Sequence, residues 1–170
     1  MNAGRIRRIL VPTDFSPSAV AALEYAVALA RAFKAEVSIL HVIEREALSE
    51  EVEEEPLRAA ARQDGGHEAG KKVQPVVDHV RKRKVEVHWG VVEGEPVAQI
   101  VKSACEEKVD LIVMGAHGRE GSPRTWLGCT IERVMRRAPC PVVAVREDHR
   151  MVCEDAVDEP RKTGRQGVRP

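Results

Sequence analysis

The chain has 170 residues, 43% of them hydrophobic but only 3% aromatic, with 27 basic and 27 acidic side chains and a formal net charge of zero. That length fits one domain able to bury a core without staples, and a core of Val, Ala, Leu and Ile suits parallel strands covered on both faces. Balanced charge argues against a generic nucleic-acid or membrane surface, and it offers little repulsion against self-association.

Residues Met1 to Arg5 carry no secretory apolar region, and no apolar run approaches the roughly 18 residues of a membrane span. A cytoplasmic location is the expectation. Cys105, Cys129, Cys140 and Cys153 show no C-x-x-C spacing and are expected as reduced thiols. Ile9-Leu10-Val11 reads as a short buried strand running into Pro12-Thr13-Asp14-Phe15. Ser16 has N-cap chemistry and Pro17 suits the first helical position. Ala19, Ala22, Leu23, Ala26, Val27, Ala30 and Phe33 recur at helical spacing, for a buried helix face ending near Lys34. Val37 to Val42 forms a second strand.

Residues 44–66, rich in Glu and closed by Gly65-Gly66, read as a solvated connection with at most a short helical piece. Ala69 to Arg83 is a basic amphipathic helix whose stripe, Val73, Val76, Val77 and Val80, packs on the sheet. Val85, Val87, Trp89 and Val91 alternate with polar residues or glycine, the pattern of a half-exposed edge strand. Pro96, with Glu95 near the cap, opens a helix whose buried face is Val97, Ile100, Val101, Ala104 and Cys105. Leu111 to Met114 is a strand, the helix after the glycines runs through Arg137, and Pro141 to Val145 is the last strand. Strands alternating with helices imply a parallel sheet with right-handed crossovers. From Glu147 apolar residues nearly vanish, so the domain is read as 1–146 and residues 147–170 as a disordered polar tail.

In an open parallel α/β sheet, ligands bind beyond the carboxyl ends of the strands, where strand order reverses. Two strands end in suitable chemistry. One ends in Pro12-Thr13-Asp14; the other, after Met114, in Gly115-Ala116-His117-Gly118, with Gly128-Cys129-Thr130 following nine residues later. Glycines let main-chain amides approach phosphates, and Gly128, Cys129 and Thr130 supply a helix N-terminus with its partial positive charge. Thr130 offers a hydroxyl to a phosphate oxygen or a metal. Asp14 suits either a ribose hydroxyl or a magnesium ion. The backbone of His41-Val42 suits an adenine edge, and Arg119 or Arg124 adds charge from the loop. His117 is read as a loop contact, not an acid–base group. The other histidines lack metal-ligand spacing. There is no G-x-x-x-x-G-K-[ST], no G-x-G-x-x-G after the first strand and no G-x-S-x-G. A phosphorelay receiver would want an acidic cluster and a lysine after the last strand, where Arg146 stands.

Ile9-Leu10-Val11-Pro12-Thr13-Asp14-Phe15-Ser16, the His41-Val42 strand end, the Asp110–Gly118 segment and Cys140-Pro141-Val142 together resemble the universal stress protein family. The likeness covers about residues 5–146, and the glycine spacing of two and then nine residues matches its ATP-binding subgroup. The resemblance implies an open five-stranded parallel sheet in order 3-2-1-4-5 with helices on both faces, of the adenine-nucleotide α-hydrolase type. It also implies ATP held at Asp14, Val42, Gly115, Gly118 and Gly128, and a homodimer through Val142 to Val145. One departure stands out: the subgroup carries Ser or Thr where this chain has Cys129. The missing hydroxyl weakens phosphate binding by about 1 kcal/mol. A thiolate there would repel phosphate, so Cys129 is either a redox-sensitive gate or an inert substitution.

The sequence thus points to an ATP-binding stress-response regulator with at most slow hydrolysis, because no general base is positioned. The alternative is a nucleotide-free dimeric interaction module with an unidentified protein partner. A true ATP-dependent transferase or pyrophosphatase would need a further Ser/Gly-rich phosphate loop, which Pro12 to Ser18 does not supply.

Overall fold

The computed structural model describes residues 6–44, 55–118 and 128–147. In chain order the elements are β1 (Arg8–Thr13), α1 (Pro17–Phe33), β2 (Glu36–Ile43), α2 (Glu55–Lys82), β3 (Val87–Glu93), α3 (Pro96–Glu106), β4 (Leu111–Gly115), α4 (Cys129–Arg137) and β5 (Val142–Val145). The five strands are parallel, in order β3-β2-β1-β4-β5, as the resemblance implies.

Side chains alternate across a strand, and both faces here are apolar. Ile9 and Val11 of β1 join Val37, Ile39, Leu111 and Val113 beneath α1 and α2, which contribute Ala22, Ala26, Val27, Val73, Val77 and Val80. Leu10, Leu40, Ile112 and Met114 face the other way, against Val97, Ile100 and Ala104 of α3 and Ile131 and Val134 of α4. Small aliphatic side chains fill both layers, which is why so aliphatic a chain can close a core.

Local chemistry starts and stops the helices. The Ser16 hydroxyl accepts from the Ala19 N–H at 3.2 Å, with Pro17 following, and Glu95 caps α3 through the Ala98 N–H at 2.7 Å before Pro96. α1 ends at Lys34, held left-handed at φ 56°. At the amino ends of the strands, one Asp110 carboxylate oxygen accepts from the N–H groups of Arg7 and Arg8 at 2.8 and 3.0 Å, which seats β1 beside β4.

Three expectations change. Residues 55–66, read as connection, belong to α2, while residues 45–54 lie outside the described residues. Phe33, expected in the core, is 44% exposed, and Cys105 is exposed too. Both sit in the last turn of a helix. The 17 residues of α1 span about 25 Å at 1.5 Å each, whereas the six of β1 span about 20 Å, so the helix outruns its sheet. Trp89 is 41% exposed on edge strand β3, as its alternation suggests, and it lies against Gly70 of α2. The tail reading falls outside the described residues from position 148 onward.

Ile112 is fully buried on the inner strand β4. Ile112→Ala is expected to lower unfolding free energy by about 2–5 kcal/mol, read from the urea midpoint. Val20→Ala, at a site 52% exposed, is expected to change it by less than about 0.5 kcal/mol.

Candidate functional site

Strand order reverses between β1 and β4, since β2 and β3 continue to one side and β5 to the other. Their ladder pairs only Ile9 with Leu111 and Leu10 with Ile112. It stops there, so Val11 to Thr13 and Val113 to Gly115 are not paired with each other. Such a switch point is where open α/β sheets take ligands.

The β1 end is a tight turn fixed by its own side chains. Thr13 Oγ1 accepts from the Phe15 N–H at 3.1 Å, and Asp14 Oδ1 accepts from the Ser16 N–H at 3.0 Å. Phe15 is left-handed at φ 63°, a strained state for a bulky residue. The His41 ring rests 4.6 Å from that of Phe15, and its Nδ1 lies 2.8 Å from the Thr13 carbonyl oxygen. A carbonyl only accepts, so Nδ1 carries the hydrogen. β1 and β2 are thereby locked together at their carboxyl ends, with Pro12 opposite Leu40 and Thr13 opposite His41. Val42 follows, half-buried and paired with Val92.

The β4 end is shaped by close approach. A Cβ on Gly118 would stand 3.2 Å from Asp14 Oδ2, so the carboxylate faces the glycine turn directly. A Cβ on Gly128 would meet the Ala116 carbonyl at 3.4 Å and the Gly118 nitrogen at 3.8 Å. The Gly128 N–H donates to that same carbonyl at 2.7 Å, which draws the start of α4 onto the turn. Gly128 is the N-cap of α4 and brings no side-chain cap. The first-turn amides of Cys129, Thr130 and Ile131 therefore have the orphan donors of a helix start. Met114 is buried, Gly115 and His117 are half-buried, Gly118 and Cys129 are exposed, and Thr130 is half-buried. Pro12, Thr13, Asp14, Met114, Gly115, His117, Gly118, Gly128, Cys129 and Thr130 thus gather where β1 and β4 end, with His41 and Val42 on the next strand. Arg119 and Arg124 lie outside the described residues.

Ser18 was not among the residues singled out from sequence, yet it organises this edge. It is 5% exposed, and its hydroxyl lies 3.2 Å from the Val145 carbonyl and 3.4 Å from the His117 nitrogen. The hydroxyl donates to the first and accepts from the second. The Val145 carbonyl also accepts from the Ala116 N–H at 2.8 Å. A serine in the first turn of an N-capped helix is ordinary in sequence; only its burial marks it.

Cys105, Cys129 and Cys140 are free thiols. Burial, then the charges of Asp110 and Cys105, push the Cys140 thiol above its usual range, which keeps it protonated and unreactive. Among the described residues, the grouping with metal-ligand proximity is Glu36, Glu86 and His88, whose ligand atoms lie within 4.8 Å of one another at the opposite end of the sheet from Asp14. No helix among the described residues is long and apolar enough to cross a membrane.

A sequence profile of the universal stress protein family matches residues 5–146. The universal stress protein MJ0531 of Methanocaldococcus jannaschii is 35% identical over 153 residues, which cover 83% of this chain and 82% of that protein. The solved structure of MJ0577 from the same organism is 32% identical, with a TM-score of 0.73 over 83% of this chain and 96% of its own. A universal stress protein of Archaeoglobus fulgidus, solved in complex with dAMP, shares the fold at 22% identity and a TM-score of 0.59, over 82% of this chain and 97% of its own.

A Cβ at residue 115 would lie 2.7 Å from Ser18 Oγ, 2.8 Å from the Ser18 carbonyl carbon and 3.0 Å from the Ala19 nitrogen. Backbone cannot step aside as a side chain can. Gly115→Ala is expected to cost about 1–3 kcal/mol in thermal or urea unfolding. Gly90→Ala, where nothing lies within 4 Å, is expected to be neutral or slightly stabilising.

Proposed function

Because this chain belongs to the universal stress protein family, we propose that it binds an adenine nucleotide, ATP foremost, between the ends of β1 and β4. In this reading it acts in the cytoplasm as a nucleotide-dependent regulator with at most slow hydrolysis. The observation that carries the reading is the meeting of the Asp14 carboxylate with the Gly118 turn beside the uncapped start of α4. Main-chain donors and a helix N-terminus suit a phosphate chain. A carboxylate on the facing strand suits ribose hydroxyls, or a magnesium ion on the phosphates.

The residues present fit such a ligand. Gly118 and Gly128 bring no side chains to the place where, in this reading, the phosphates lie. In this reading the backbone of His41 and Val42, at the end of β2, meets the adenine edge. Thr130, in the first turn of α4, adds a hydroxyl in the same reading. The domain is 1–146 in this reading, with 147–170 as a polar extension.

The same reading makes the protein a homodimer through β5. That strand is an edge of the described sheet, with Ala144 exposed and Val142 and Val143 half-buried. An apolar edge left unpaired is an aggregation hazard. One residue favours the alternative, a nucleotide-free interaction module with a protein partner: Cys129 stands where the family's ATP-binding subgroup carries a hydroxyl.

Equilibrium dialysis with labelled ATP, with and without magnesium, is expected to give one nucleotide per chain. No uptake at millimolar ATP would favour the interaction module instead. Asp14→Ala is expected to weaken binding at least about tenfold, as loss of a charged hydrogen bond does. Cys129→Ser is expected to tighten it about fivefold by returning a neutral one. Ala144→Lys is expected to shift sedimentation from dimer to monomer while leaving ATP uptake in place.

A further inference from the structure

We propose that the groove at the amino ends of β1, β2 and β3 is a second anion site, separate from the one at the carboxyl ends, which takes a compact ligand carrying several phosphates. The groove encloses about 880 Å³, within the range of small-molecule sites. Its walls carry Arg7, Arg8, Arg31, Lys34, Arg83 and Lys84. These six come from the start of β1 and from the carboxyl ends of α1 and α2, so three elements aim positive charge into one cleft. Glu36 and Glu86 are the opposing carboxylates.

Charge already neutralised within the groove is limited. Arg8 is engaged, by Glu36 at 2.7 Å and by the Glu107 carbonyl at 2.6 Å. Arg83 reaches Glu24 at 2.6 Å. Glu36 also lies 3.6 Å from His88, and Glu86 lies 3.7 Å from the same ring. The side chains of Arg7, Arg31, Lys34 and Lys84 have no carboxylate within ion-pair distance among the described residues. Cations at a helix carboxyl end complement its macrodipole, which accounts for part of the charge on α1 and α2. It does not account for Arg7 and Arg8 at the start of β1, and with Arg8 and Arg83 ion-paired, Arg7, Arg31, Lys34 and Lys84 still leave more positive charge than two helix ends offset. In a chain whose formal charge is zero, this is a strong local excess.

The lining selects among anions. Four of the six cations are arginines, whose planar forks match phosphate oxygens in pairs. No aromatic side chain lines the groove, so nothing stacks on a base, as single-stranded nucleic acid binding requires. Phosphates close together and little else is the chemistry that fits. β1 separates this groove from the Asp14 site by about 20 Å, its six residues end to end, so the two can be filled independently.

Lys34 and Lys84 supply an unusually clean test. Both are left-handed, at φ 56° and 59°, a conformation glycine adopts more readily. Lys34→Gly with Lys84→Gly therefore removes two charges while suiting the fold, and Arg31→Gln removes a third. Inorganic tripolyphosphate and inositol hexakisphosphate serve as linear and clustered probes in calorimetry at 50 and 200 mM salt, with ATP saturating. The expected result is one probe per chain, bound more weakly at the higher salt and unaffected by Asp14→Ala. Binding by the triple variant, whose unfolding midpoint is unchanged or raised, is expected to be about tenfold weaker, as loss of three exposed charge contacts implies. The probe that binds more tightly tells a linear polyphosphate from a clustered phosphate ester. The proposal is overturned by no binding at millimolar probe, by binding seen only when ATP is left out, by equal binding to the triple variant, or by citrate binding equally well. A single-stranded DNA 20-mer that outcompetes both probes would overturn it in favour of nucleic acid.

Discussion

The carboxyl edge of this sheet depends on one close approach. The backbone of β4 passes so near the first turn of α1 that residue 115 has no room for a Cβ beside Ser18 and Ala19. With glycine there, the Ser18 hydroxyl comes within hydrogen-bond distance of both the Val145 carbonyl and the His117 amide. One buried oxygen thus joins the first helix, the turn after β4 and the end of the outermost strand. Buried polar groups left without partners are expensive. The cluster holds together because its donors and acceptors are matched, and the turn carrying Gly118 is placed by that matching.

From there the two ends of the sheet acquire different characters. At the carboxyl ends the β1–β4 ladder lapses after two pairs, helix starts point inward, and a carboxylate faces a glycine turn. Main chain does the work, and its donors are neutral. At the amino ends the helices finish, and long cationic side chains crowd around strand starts that Asp110 and Glu36 tie together. The contrast follows from parallel topology, because every crossover helix presents its positive end to one edge of the sheet and its negative end to the other. A fold of this type offers two electrostatically distinct surfaces from one repeating connection.

What the sequence disclosed follows the range over which each cause acts. Ser16 and Glu95 as caps, Pro17 and Pro96 inside them, and the alternation of β3 are local, and they were legible. Parallel strands followed from the alternation of elements, but their spatial order did not; it came with the family resemblance. The first part of α2 was hidden because the glutamate run before it reads as a solvated stretch and Gly65-Gly66 interrupts the helical signal, glycine costing about 1 kcal/mol in a helix interior. Phe33 keeps helical spacing with the core residues but lies where α1 outruns β1, and Cys105 falls at the rim of the α3 stripe next to buried Ala104; periodicity marks neither a sheet's end nor a stripe's edge. Ser18 was invisible because its partners are 127 and 99 residues away. The basic groove was hidden by averaging: its cations lie in three distant pairs along the chain, and the total charge is zero.

The bond from the Gly128 amide to the Ala116 carbonyl also bears on chain closure. It pins the departure and return points of the chain side by side, and main-chain groups alone make that closure. Closure entropy grows only logarithmically, about 0.6 kcal/mol for each doubling of span. Closure by itself therefore sets no sharp limit on how many residues the span between those two points holds.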